Sequence, residues 1–156
     1  MGYMHIINLY HKDGQDILMF KECYAMEKIH GSSAHIGWDG TNLTFFSGGE
    51  SHEQFLKIFD AEAIKAKLLE MGLGAGRKVT VYGEVYGGRC QAMSHTYGKT
   101  LKFIAFDVHM DEKCWLDVPK AEGFVKSLGL EFVHYVKVST DLAALDAERD
   151  AFHRLI

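Results

Sequence analysis

Proline is nearly absent from this chain: Pro119 stands alone among 156 residues. With 16 glycines present, the connections read as tight turns rather than extended linkers. Cysteine is scarce as well. Cys23, Cys90 and Cys114 are odd in number, far apart and free of any Cys-x-x-Cys pair. That excludes a disulfide framework and points to reduced thiols in a cytosol-like compartment. No stretch nears the ~18 apolar residues of a membrane span. The opening Met1-Gly2-Tyr3-Met4-His5-Ile6 has neither the basic nor the apolar region of a secretion signal, and Ile6 stands where myristoylation requires Ser or Thr. The nine histidines include no helical His-x-x-x-His or Glu-x-x-His arrangement with a third ligand nearby. A structural zinc site is therefore not expected.

What is present is apolar residues, at 47% of the chain, with a formal charge of −4. A chain of this length buries roughly 70% of its unfolded surface and needs no staple. One domain over residues 1–156 is the expectation. The charge is uneven. Residues 1–76 and 103–156 each sum to −4, whereas Arg77, Lys78, Arg89, Lys99 and Lys102 face only Glu84 in 77–102. A basic segment interleaved with Tyr82, Tyr86 and Tyr97 suits a polyanion, although composition alone fits an ordinary solvated face equally well.

Apolar-rich runs at 3–10, 17–27, 33–38 and 42–47 read as strands, with hairpin turns at Asp13-Gly14 and Asp39-Gly40. Residues 53–71 turn helical. Asp60 is placed to cap a face of Ala61, Ile64, Leu68 and Met71, and Gly72 to end it. Gly72-Leu73-Gly74-Ala75-Gly76 lacks the Lys-Ser/Thr of a P-loop and is a plain loop. Strands resume at 78–87 and 101–110 around a polar loop at 88–100. Pro119 starts a short helix ending near Gly129. A strand over 130–138 and a helix over 141–155, capped by Thr140 or Asp141, complete the chain. The class is α+β, with mostly antiparallel sheets and a few packed helices.

Three segments carry chemistry. Glu27-Lys28-Ile29-His30-Gly31 puts a lysine at a strand end or turn. A free lysine amine is almost wholly protonated at neutral pH, so attack on phosphorus requires desolvation or neighbouring cations. Alone, Lys-x-x-Gly is weak and reads equally as a solvated lysine before a turn. Val79-Thr80-Val81-Tyr82-Gly83-Glu84-Val85-Tyr86-Gly87 sets one carboxylate in an apolar strand, where it needs a partner. Lys102-Phe103-Ile104-Ala105-Phe106-Asp107-Val108 sets an aromatic beside an acid, some of which is plain core.

In this order, over residues 20–138, these motifs resemble those of covalent nucleotidyltransferases: ATP-dependent RNA and DNA ligases and capping enzymes. The resemblance is closest to the phage-type RNA ligase 2-like family. It implies a partial adenylation domain in which Lys28 attacks the α-phosphorus of ATP, expels pyrophosphate and holds AMP. AMP then passes to an RNA 5′-phosphate, and a 3′-hydroxyl displaces it. Glu27 and the Ile29 backbone are implied to meet adenine, and His30 to order the phosphates. Gly31, Ser33 and Ser47 join the nucleotide site. Glu84 contacts the ribose or a metal, and Phe106 stacks on the base. The implied cofactors are ATP and Mg²⁺, with Mn²⁺ as an alternative. The implied partner is RNA, through the basic 77–102 segment, in a bacterial or phage-infected cytoplasm. No membrane or obligate protein partner is implied.

The sequence also departs from the pattern. Gly48 follows Ser47 where an arginine is usual, and Ser33 stands where asparagine is common. Neither a later Glu-Gly-hydrophobic-hydrophobic-x-Lys strand nor a Lys-x-Lys strand is found. Glu122-Gly123-Phe124-Val125-Lys126 falls on a helix pattern instead. The expectation is a single, incomplete nucleotidyltransferase domain. Alternatives are a non-catalytic nucleotide- or RNA-binding remnant, a DNA ligase or capping-type enzyme, and an interaction domain whose motifs are accidental.

Overall fold

The computed structural model describes residues 2–49, 51–88 and 100–152. The fold divides into two compact units. One comprises residues 29–133 with Gly2, and the other comprises 3–28 with the chain from 134 onward.

The larger unit is built on a six-stranded sheet. Its strands are β2 (Ser32–Trp38), β3 (Leu43–Ser47), β4 (Val79–Tyr86), β5 (Lys102–Met110), β6 (Cys114–Trp115) and β7 (Glu131–Phe132), and β1 (Glu22–Met26) lies in the other unit. The order is β3-β2-β4-β5-β6, with β7 also pairing β5. Every pairing is antiparallel except β5–β7. Strand alternation sets the layers. Ala34, Ile36, Trp38, Val79, Val81, Val85, Phe103, Ala105 and Val108 are buried. Helices α1 (His52–Leu56), α2 (Ala61–Glu70) and α3 (Val118–Ser127) add Phe55, Ile64, Leu68, Ala121 and Val125 to that core. Phe45, Phe55, Phe59 and Phe103 form a cluster of mostly edge-on rings, with centroids 4.9–6.2 Å apart. The Trp38 indole N–H donates to the Leu73 carbonyl at 2.5 Å.

Local signals explain several boundaries. Asp39 takes Thr41 and Asn42 amides on its carboxylate at 2.8 and 2.6 Å, and Gly40 has φ +94°. This is the expected β2–β3 turn. The helical stretch expected over 53–71 divides in two. Asp60 leaves helical geometry and caps α2 by accepting from the Ala63 amide at 3.1 Å. Gly129, at φ +78°, follows α3 as anticipated. Glu122 to Lys126 lie within α3, as the helix reading required. The β5–β6 turn has no glycine signal. Asp111 and Glu112 adopt φ 53° and 57°, and the Asp111 carboxylate accepts from the Arg77 side chain and the Lys78 amide.

The smaller unit pairs β1 (Glu22–Met26) antiparallel with β8 (Tyr135–Ser139) and carries α4 (Leu142–Phe152). Asp141 caps α4 through the Ala144 amide at 2.8 Å. Three strand expectations are corrected. Residues 3–10 form no strand. Asp13-Gly14 lies in a 3-10 helix, Lys12–Met19, not in a hairpin. The run after it pairs with β8, so a long-range partner outcompetes the local turn. The single strand expected over 130–138 divides at Val133-His134. Its first half pairs parallel with β5 and its second half with β1.

Candidate functional site

Chain geometry around Lys28 follows from both of its neighbours. β1 pairs with β8 as far as Met26–Tyr135, and the Glu27 amide then donates to the His134 carbonyl at 2.8 Å. Lys28 is the next residue, outside any strand and exposed. This is the strand-end position expected for it. The unit boundary falls between Lys28 and Ile29 in sequence. Ile29 is buried and His30 is exposed. Gly31 crosses close to β4: a Cβ there would lie 2.9 Å from the Val85 carbonyl carbon and closer still to its oxygen. The glycine of Lys-x-x-Gly therefore has a packing reason independent of any ligand.

Register brings two of the expected residues together. Ser33 on β2 is the direct cross-strand partner of Glu84 on β4, and Glu84 pairs onward with Ile104 on β5. Paired residues share a face, so Ser33, Glu84 and Ile104 form one row. Beside it, the Tyr86 hydroxyl donates to the Glu131 carboxylate at 3.3 Å. Glu84 is half-buried. Gly83, between Tyr82 and Glu84, turns to the other face. A Cβ there would lie 2.7 Å from the Phe103 ring and closer to the Ile104 carbonyl oxygen. Tyr-Gly-Glu thus needs its glycine because the Phe103 ring edge and the Ile104 carbonyl occupy the space a side chain would take.

Phe106 sits at an irregularity. Tyr82 pairs with Asp107 and Gly83 with Ala105, so Phe106 is the extra residue of a β-bulge. Bulges recur where a sheet re-aims a side chain. Ser47 is not brought to the Ser33–Glu84 row. It pairs with Ala34, on the core side, and its hydroxyl is buried without a hydrogen-bond partner.

Beside the row lie Tyr82, noted in the sequence as part of the basic segment, and residues that sequence reasoning did not single out. Phe46 pairs with His35, and His35 with Tyr82. Their rings are in contact, at 4.9 Å for His35–Phe46 and 5.6 Å for His35–Tyr82. Tyr82 continues to Trp115 at 5.5 Å, and Trp115 stacks on His109 at 4.4 Å. A sequence signal existed. His35 and Tyr82 each sit two residues from Ser33 and Glu84, which in a strand means the same face. Burial pushes the His35 imidazole below its ordinary value. Burial, aided by Asp107, raises the Tyr82 phenol. Farther along the sheet, a shallow pocket of about 210 Å³ is lined by Thr44, Lys78, Thr80, His109 and Glu112 among others.

The basic segment is only partly described, since 89–99 lie outside the described residues. Arg77 pairs with Asp111 at 3.0 Å and Lys78 with Glu112 at 3.1 Å, so two of its charges are locally balanced. Lys102 is exposed and lies across from Tyr86. Among the described residues, no three His, Cys, Asp or Glu side chains converge on a metal position. Glu84 offers one carboxylate. That is a sufficient protein share for a Mg²⁺ held mainly by phosphate oxygens and water. No helix among the described residues is long and apolar enough to cross a membrane.

The RNA ligase family model matches residues 21–153. The sequence has no match among curated proteins. Among solved structures, a Naegleria gruberi RNA ligase variant with AMP and Mn superposes with a TM-score of 0.64 at 14% identity, covering 81% of this chain and 40% of that one. A second variant, with ATP and Mn, gives 0.65 at 14% identity and the same coverage. The same ligase with PPi gives 0.60 at 16% identity, covering 75% and 37%. At such identity the likeness shows the fold, that of part of an RNA ligase nucleotidyltransferase domain, and this chain spans about 40% of the first of those chains. With the family match extending over most of its length, the chain belongs to the RNA ligase family.

Proposed function

We propose that this chain is an ATP-dependent RNA ligase-type nucleotidyltransferase that forms a lysyl-AMP intermediate on Lys28. The observation that carries the reading is the family match, which spans Lys28-Ile29-His30-Gly31 and the in-register pair Ser33–Glu84. In this reading the Lys28 amine loses a proton and attacks the α-phosphorus of ATP. A nitrogen–phosphorus bond forms and the bond to pyrophosphate breaks. An RNA 5′-phosphate oxygen then takes AMP from the lysine. An RNA 3′-hydroxyl attacks the activated 5′-phosphorus, and AMP leaves.

Within this scheme Glu84 holds the ribose or a metal, with Ser33 beside it. Ile29 and Glu27 border adenine, Phe106 stacks on it, and His30 orders the phosphates. Ser47 is the weakest member of the set, because its hydroxyl lies on the core side. Mg²⁺ or Mn²⁺ offsets phosphate charge when bound. Support for the cofactors comes from the ligases of similar fold, which hold ATP with Mn. The proposed setting is a reducing cytoplasm, bacterial or phage-infected.

Incubation with ATP and Mg²⁺ followed by intact mass spectrometry tests the scheme. One AMP per chain is expected on the wild type and none on Lys28→Ala. A folded wild type that gains no adduct refutes catalysis by this chain. The position of Ser47, together with Gly48 in place of an arginine, favours one second reading: a nucleotide- or RNA-binding protein without transfer. That reading gains if ATP binds and no adduct forms.

A further inference from the structure

The ring array beside the Ser33–Glu84 row is left without a role by the scheme above. It runs Phe46, His35, Tyr82, Trp115, His109 across five neighbouring strands, β3-β2-β4-β5-β6, with successive centroids 4.4–5.6 Å apart. Phe46 is 50% and Trp115 38% exposed, whereas Tyr82 between them is 7% exposed. The array lies one row from Glu84, two residues of strand rise or about 7 Å. At its far end His109 also lines the shallow pocket, with Thr44, Thr80, Lys78 and the Glu112 carboxylate that pairs with Lys78.

We propose that this array is a stacking platform for the bases of single-stranded RNA, carrying the strand across the sheet beside Glu84. The occupant's identity rests on the RNA ligase reading; the platform itself rests on the rings. Three observations select RNA over a second protein surface. The array is wholly aromatic and imidazole, whereas the core side of the same strands is mainly aliphatic. Flat rings accept any base, and base–aromatic stacking is tolerant of sequence. The array is also continuous with the Ser33–Glu84 row, and the threonine hydroxyls of Thr44 and Thr80 beside His109 suit a sugar–phosphate backbone.

The test uses the full chain and two labelled 10-nucleotide probes: single-stranded oligoadenylate and an abasic ribose-phosphate oligomer of the same charge. Anisotropy gives the affinities. Quenching of Trp115 gives contact, because the other tryptophan, Trp38, is 4% exposed. Oligoadenylate should bind at least tenfold more tightly than the abasic oligomer and quench emission. Phe46→Leu keeps an apolar side chain but removes the ring. It and Trp115→Leu should each weaken oligoadenylate binding by about 5- to 100-fold, with abasic binding changed less than twofold.

Circular dichroism confirms that the variants fold. Equal affinity for the two probes overturns the platform. So does unchanged oligoadenylate binding in folded Phe46→Leu, or a variant whose sole effect is on self-association by sedimentation. Adduct formation is measured on the same samples. An AMP adduct without base-dependent binding sinks the platform alone, whereas base-dependent binding without an adduct sinks the ligase scheme alone.

Discussion

Replacing Gly31 by alanine isolates the packing role of the glycine in Lys-x-x-Gly. The added Cβ would lie 2.9 Å from the Val85 carbonyl carbon, nearer to its oxygen, and 3.3 Å from the Tyr86 Cβ. Ordinary contact begins at 3.4 Å. The obstacle is backbone in a strand paired on both sides, so no rotamer change relieves it. Gly31 itself needs no left-handed conformation, so contact is the whole effect. Overpacking of this kind costs about 1–3 kcal/mol, and an immovable neighbour puts Gly31→Ala at the upper end, near 3 kcal/mol. For a chain of this size that is a fall in Tm of roughly 6–12 °C. Gly123→Ala is the control. It lies inside α3 with nothing within 4 Å of the added carbon, so alanine should raise stability by about 0.5–1 kcal/mol. Thermal and urea unfolding followed by circular dichroism measure both. A Gly31→Ala melt within 2 °C of wild type would refute the reasoning, because the segment before β2 could then move away from β4 freely.

Trp38→Phe removes the indole donor from the buried Leu73 carbonyl, for an expected loss of about 1–3 kcal/mol by urea unfolding. Asp60→Ala deletes the α2 cap and should lower stability by about 1 kcal/mol in the same assay. His35 gives a pH signature. Burial lowers its folded pKa, so on acidification the unfolded chain takes up a proton near the ordinary value of about 6.5 before the folded chain does. Stability should therefore fall as pH drops from about 6.5 through the lowered folded value, and His35→Leu should flatten that part of the curve. Equal slopes for the two proteins would refute a half-buried, neutral His35.

How much was legible depended on the range over which each signal acts. Asp39-Gly40, the Asp60 cap, the Gly72 and Gly129 ends and the β4 and β5 strands were readable, because turns, caps and alternation are settled within a few residues. Asp13-Gly14 misled because the competing partner of β1 lies more than a hundred residues away, at Tyr135–Ser139. The division at Val133-His134 was hidden for the same reason: each half of that run answers to a different distant strand.

From the sequence alone come the motif order, the nucleophile candidate and the family resemblance, since these are properties of residue type and spacing. Register belongs to the tertiary structure. It sets Ser33 directly across from Glu84, turns Ser47 to the core side and makes Phe106 the extra residue of a bulge. It also lines up Phe46, His35, Tyr82, Trp115 and His109 from five strands. A side chain's face follows from strand periodicity once pairing is known, and which strands pair is decided by long-range packing that no local window contains.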